Sequence, residues 1–145
     1  MKASHNLARV AMTFDDDTLL PNGGLTVAAL LAQRLGVADL VDEHITVVGE
    51  AGANSGAKAA TVIGTALAGG DCIDDARVLQ AGATKRLFDG VRAASTVGIW
   101  LRAFMWATVR QLDRVTRQLL ARAWQAGLGP DLDTDLTIGY RLDGV

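Results

Sequence analysis

Little in this chain staples or kinks a fold. There is one cysteine, Cys72, which excludes an internal disulfide and any multi-cysteine zinc site. Two prolines, Pro21 and Pro130, leave everything between them free of helix-breaking rings. Aromatic residues make up 5% while 50% of the chain is hydrophobic, so the apolar content is mostly aliphatic and alanine-rich. That balance favours helices over a β-sandwich. No apolar run approaches the roughly 20 residues that span a bilayer. The opening MKASHNLARVAMTFDDD has no long apolar core ahead of its acidic triplet, so it does not read as a secretory signal. A cytoplasmic location and no membrane partner are the expectation.

A length of 145 residues fits one domain able to bury a core. The net charge of −2 gives no overall attraction to nucleic acid, but it is unevenly spread. Residues 1–50 carry three basic and seven acidic side chains, and residues 51–100 carry five and four. Residues 101–130 carry five arginines against one aspartate, and residues 131–145 one against four. The local basic stretch is compatible with a DNA-facing element.

Along the chain, Ala8 to Phe14 reads as a short strand, broken by Asp15-Asp16-Asp17 and Pro21-Asn22-Gly23-Gly24. Leu25 to Leu35 repeats apolar residues at helical spacing, with Gly36 placed for a left-handed C-terminal cap. Ala38 to Glu43 adds a helical turn, and residues 49–56 (GEAGANSG) read as a flexible connector. A helix is expected from about Lys58 to Ala68, ended by Gly69-Gly70. A short helix, Ile73 to Gln80, should be capped by Asp71, and Ala83 to Phe88 should give a further turn. Ser95 or Thr96 should then cap a long helical segment, broken near Trp106-Ala107 and ended by Gly127, Gly129 and Pro130. Leu136-Thr137-Ile138 opens like a buried strand. The expected fold is mainly α, with a short N-terminal strand and a C-terminal strand stub.

Several motifs invite a chemical reading. VVGEAGANSGAK approaches a phosphate-binding loop, but Ala57 separates Gly56 from Lys58, and Ala59 replaces the hydroxyl that would hold magnesium. A connector is the better reading. Asp15–Asp17 and Asp71/Asp74/Asp75 are carboxylate clusters beside turn and helix-start signals, where capping suits them better than metal ligation. His5 and His44 are isolated, with no partner for nucleophilic catalysis placed by sequence. Trp100, Phe104, Trp106 and Trp124 lie at helical spacing with Ile99, Leu101, Leu112 and Leu119. They read as core rather than as a base-stacking platform.

Arg110, Arg114 and Arg117 fall at i, i+4 and i+7, on one helix face, while Leu112, Val115 and Leu119 fall on another. Arg102 and Arg122 extend the basic stretch at its ends. These five arginines are the candidate DNA-binding residues, set against the plain reading of a solvated helix face.

Four ordered stretches carry a resemblance: TFDDDTLLPNGGL with LLAQRLGVADLVD; ALAGGDCIDDARVLQAG; ASTVGIWLRAFMWATVRQLD; and LLARAWQAGLGPDLDTDLTI. Together they resemble the N-terminal region of actinobacterial-type insertion-sequence transposases of the DDE class, the group labelled transposase DDE domain group 1. The resemblance implies a helical N-terminal domain over residues 1–130 that engages transposon ends, followed at 131–145 by the start of an RNase H-like core. In that core three carboxylates hold two magnesium or manganese ions for strand cleavage and transfer. Its first strand has a pattern like L-T-I-D-x-D-S-T. Here Leu136-Thr137-Ile138 matches, but Gly139 stands where aspartate is wanted, so no catalytic or metal-binding residue carries over.

The tail Gly-Tyr-Arg-Leu-Asp-Gly-Val can be encoded so that dropping one base reads Asp-Ile-Asp-Ser-Thr-Val. The expectation is therefore a truncated transposase fragment, catalytically inactive, that retains at most DNA-end binding and can pair with itself or with full-length transposase. Two alternatives stand beside it. One is an intentional short DNA-binding regulator of transposition. The other is an unrelated small helical interaction protein.

Overall fold

A computed structural model describes residues 20–88 and 90–129. The expected N-terminal strand, Asp15–Asp17, His5 and the 131–145 strand stub lie outside the described residues. Within them the protein is mainly helical, with no strand. The helices are α1 (Leu25–Leu35), α2 (Val37–His44), α3 (Ser55–Leu67), α4 (Ala94–Arg102) and α5 (Trp106–Gln125). Short 3-10 segments at Glu50–Gly52, Ile73–Gln80 and Gly82–Arg86 connect them. No helix among the described residues is long and apolar enough to cross a membrane.

Gly36 ends α1 as its position suggests, with φ 67° and ψ 42°. It is the residue that tolerates this left-handed geometry at least cost, and it turns the chain directly into α2. The other boundaries depart from expectation in instructive ways. α3 begins at Ser55, not Lys58, so the connector at 49–56 is largely ordered. The cause is tertiary. Asn54 holds the N-cap position in a left-handed conformation without a side-chain cap bond, and Asp42 on α2 instead accepts the Gly56 amide at 2.7 Å, supplying the N-terminus of α3 with an acceptor from another helix. The Ile73–Gln80 segment is 3-10 rather than α, and its cap is not Asp71. Instead Asp75 reaches back to accept from the Asp71 and Cys72 amides and the Cys72 thiol. These contacts hold the Asp75 carboxyl below its ordinary range, the thiol contributing most.

The long C-terminal helical segment is broken at Ala103–Met105, so Trp106 is the first residue of α5 rather than the site of the kink. Neither Ser95 nor Thr96 caps α4, whose N-cap is Ala93. At the far end, Gly127 (φ 74°) donates to the Trp124 carbonyl and Leu128 to that of Ala123. This paired arrangement satisfies the last free carbonyls of α5.

α2 sits at the centre, packed against α3 on one side and α5 on the other. The core joins Leu40, Val41, Ile45 and Val47 to Ala59 of α3, Trp100 of α4 and Val115 of α5. Each fully buried Leu or Val contributes roughly 1.5–3 kcal/mol. Trp100 anchors the cluster: its ring meets Phe104 edge-on at 4.7 Å, and its indole N–H donates to Ser55 Oγ at 3.0 Å. Ser55 in turn donates to the Gly52 carbonyl, so a buried polar chain ties α4 to the start of α3 without leaving the indole nitrogen unpaired.

Candidate nucleic-acid interface

α5 carries two faces of different chemistry. The inner face presents Val115 with Leu112 and Leu119 to the core, flanked by Thr108, which is buried. Three polar side chains on the same side fix its placement. Gln111 Oε1 accepts from the Thr46 amide at 2.9 Å, Gln118 Oε1 pairs with His44 Nε2 at 2.9 Å, and Arg122 donates to the Leu35 carbonyl at 2.8 Å. His44 is thus a docking residue at the end of α2.

Because the core fixes one side of the helix, it also fixes what faces away. Arg110, Arg114 and Arg117 are exposed, together with Asp113, and share a shallow groove with Gln111 and Gln118. Arg117 pairs with Asp113 at 2.8 Å, both side chains well exposed. Such an exposed pair is worth about 0.2–1 kcal/mol and leaves the guanidinium accessible. Among the described residues neither Arg110 nor Arg114 is in an ion pair. Successive arginines rise by about 6 Å and 4.5 Å along the axis, a spacing at which adjacent guanidinium groups can meet neighbouring phosphates.

The other two candidate arginines stand apart from this group. Arg102 closes α4, on the far side of the helix break, with its guanidinium lying across Gly98. Arg122 lies on the inner side of α5, its guanidinium over Gly36, where a Cβ would approach Nη1 to 2.5 Å. There it bonds a C-terminal carbonyl of α1, where a cation also offsets the helix dipole.

The aromatic residues divide rather than acting as one core set. Trp100 is buried and Phe104 packs against the core, as expected. Trp106 and Trp124, expected in the core, are 75% and 55% exposed, and Ile99 is also exposed. The reason is register: the break at Ala103–Met105 re-phases α5, placing both tryptophans opposite Val115. Helical spacing gives a stripe, but a stripe does not say which side the rest of the protein occupies.

The phosphate-loop-like stretch folds into something else. Lys58 is 4% exposed, and its ammonium donates to the Ala51 and Ala53 carbonyls, closing the loop beneath α3. Burial chiefly, and then the Arg92 charge, lower its pKa from 10.5, against an opposing pull from Asp42. The Gly56 amide, which an anion would need, is held by Asp42. At the other cluster, Asp71, Cys72 and Asp75 place one ligand atom each within 4.8 Å of the others. There Asp75 Oδ2 already accepts the three capping bonds. No protein-family model, curated protein or solved structure matches this chain.

Proposed function

We propose that this is a helical DNA-contacting domain of DDE-transposase type, in which the outward face of α5 engages the phosphates of transposon-end DNA. The observation that carries the reading is the placement of Arg110, Arg114 and Arg117. They lie together and exposed on the side of α5 that the core leaves uncovered. The sequence resemblance supplies the class of DNA. Arg102 and Arg122 stand apart from this surface, the latter with a structural task of its own.

The metal pair of the family's core is a separate question. Gly139 offers no donor where the first carboxylate belongs, so the residues present do not fit that pair, and strand cleavage is not assigned to this chain. The function proposed is binding alone. Duplex binding by a variant lacking all three arginines tests it: a weaker, less salt-dependent affinity is expected, and unchanged binding would overturn the assignment. A second reading, a helical interaction protein, is favoured by the exposed Trp106 and Trp124 on the same helix.

A further inference from the structure

The outward face of α5 is self-complementary. From its N-terminal end it presents Trp106, Val109, Asp113, Arg117, Leu120 and Trp124, all exposed. These positions are arranged almost symmetrically about the level of residue 115. Trp106 and Trp124 lie nine residues to either side, Val109 and Leu120 six and five, and Asp113 and Arg117 two. In the two halves of the face apolar residues correspond to apolar residues, while the central charges correspond with opposite sign.

We infer that this face pairs with the same face of a second copy, the two α5 helices running antiparallel across a two-fold axis at the level of residue 115. In an isologous contact each residue meets its symmetry counterpart. Trp106 of one copy then meets Trp124 of the other, at both ends of a contact about 27 Å long. Asp113 faces Arg117 of the second copy, twice. Val109 and Leu120 lie on one and the same flank of the helix and come together there. A parallel pairing would instead set Asp113 against Asp113 and Arg117 against Arg117, and is disfavoured. The four indoles alone would cover on the order of 500 Å², about half of what a specific interface requires.

Pairing turns Arg117 to the second copy, while Arg110 and Arg114 lie on the flank opposite Val109 and stay open to solvent. A two-fold axis of this kind keeps each flank on its own side, so both copies would contribute these arginines to one edge, doubling its basic charge. The pairing does not rest on the DNA-binding reading, and its test contains no DNA.

Sedimentation equilibrium of the full chain over a concentration series should show a reversible monomer–dimer equilibrium. Asp113→Arg and Arg117→Asp should each raise the dissociation constant by about tenfold or more, because like charges then face each other at the centre. The double exchange Asp113→Arg/Arg117→Asp should return it to within about threefold of the native value, and an equimolar mixture of the two single variants should form the mixed dimer in preference to either homodimer. Trp106→Ser should weaken the dimer as well, whereas Leu30→Ser on the exposed side of α1 should not. Circular dichroism checks that each variant remains helical. A native chain that is monomeric up to about millimolar concentration would overturn the pairing. So would well-folded charge variants that dimerise as the native chain does, or a double exchange that fails to restore association.

Discussion

Asp42 Oδ1 lies 2.7 Å from the amide nitrogen of Gly56, joining the middle of α2 to the first turn of α3. The approach is possible because residue 56 has no side chain. A Cβ there would stand 2.4 Å from the Ala38 carbonyl oxygen and 2.6 Å from the second Asp42 oxygen. Asp42→Ala should therefore destabilise the protein by about 0.5–2 kcal/mol, the cost of a lost helix cap. Gly56→Ala should cost about 1–3 kcal/mol, because backbone rather than a flexible side chain must move. Urea unfolding followed by circular dichroism measures both. A neutral Gly56→Ala would mean that α2 and α3 are not packed this closely.

Arg122 and the three outward arginines should separate in their effects. Arg122→Gln removes a charge-assisted bond to the Leu35 carbonyl and should lower stability by about 1.5–3 kcal/mol. Replacing Arg110, Arg114 and Arg117 should change the stability of the monomer by no more than about 0.5 kcal/mol in total, apart from the exposed Asp113 pair. Thermal unfolding of the two variants side by side provides the comparison. Equal losses would contradict the division of α5 into a docked side and a free side.

Lys58 supplies a pH test. Its folded-state pKa is lowered, so between that value and 10.5 the unfolded chain holds the proton that the folded chain has released. Stability contributed by this group therefore rises with pH through that window and is level below it. The unfolding free energy of the native protein minus that of Lys58→Met should become more positive as pH approaches 10.5. A native-minus-variant value that is flat or falls over the same range would show that the ammonium is not desolvated in the fold.

Catalytic silence is expected of the chain by itself. On the proposed reading, the purified protein incubated with transposon-end DNA and Mn²⁺ should nick no strand above background, since Gly139 stands where the pattern it resembles carries the first carboxylate. Metal-dependent nicking that persists through repurification and disappears in Asp71→Asn/Asp75→Asn would place the chemistry at the exposed Asp71–Cys72–Asp75 cluster instead.

Much of this architecture was legible where local chemistry decides it. Leu25–Leu35 with Gly36, and α5 with Gly127, follow from apolar periodicity and a glycine free to adopt positive φ. At the start of α3 the glycine-rich run 49–56 masked Asn54 as the N-cap position, and the acceptor that serves this end, Asp42, comes from another helix and could not be read locally. The cap at Ile73 was assigned to the wrong aspartate for a related reason: Asp75 reaches backward across a 3-10 turn, where the simple pattern looks for an acceptor ahead of the helix. At the candidate site, the grouping of Arg110, Arg114 and Arg117 could be read from spacing. The diversion of Arg122 to the end of α1 could not, since the two meet only through tertiary packing. The exposure of Trp106 and Trp124 turned on the break at Ala103–Met105, a stretch without glycine or proline to announce it.

The central claim is that the outward arginines of α5 contact phosphates, and the salt dependence of duplex binding tests it most directly. Each phosphate neutralised releases condensed counterion, so the logarithm of affinity falls linearly with the logarithm of salt concentration. Replacing Arg110, Arg114 and Arg117 together with glutamine should reduce that slope by up to about three phosphate equivalents per chain, or about two where Arg117 is engaged by a second copy, with helicity unchanged by circular dichroism. An unchanged slope in a well-folded triple variant, or no duplex binding by the native chain at low salt, would contradict it.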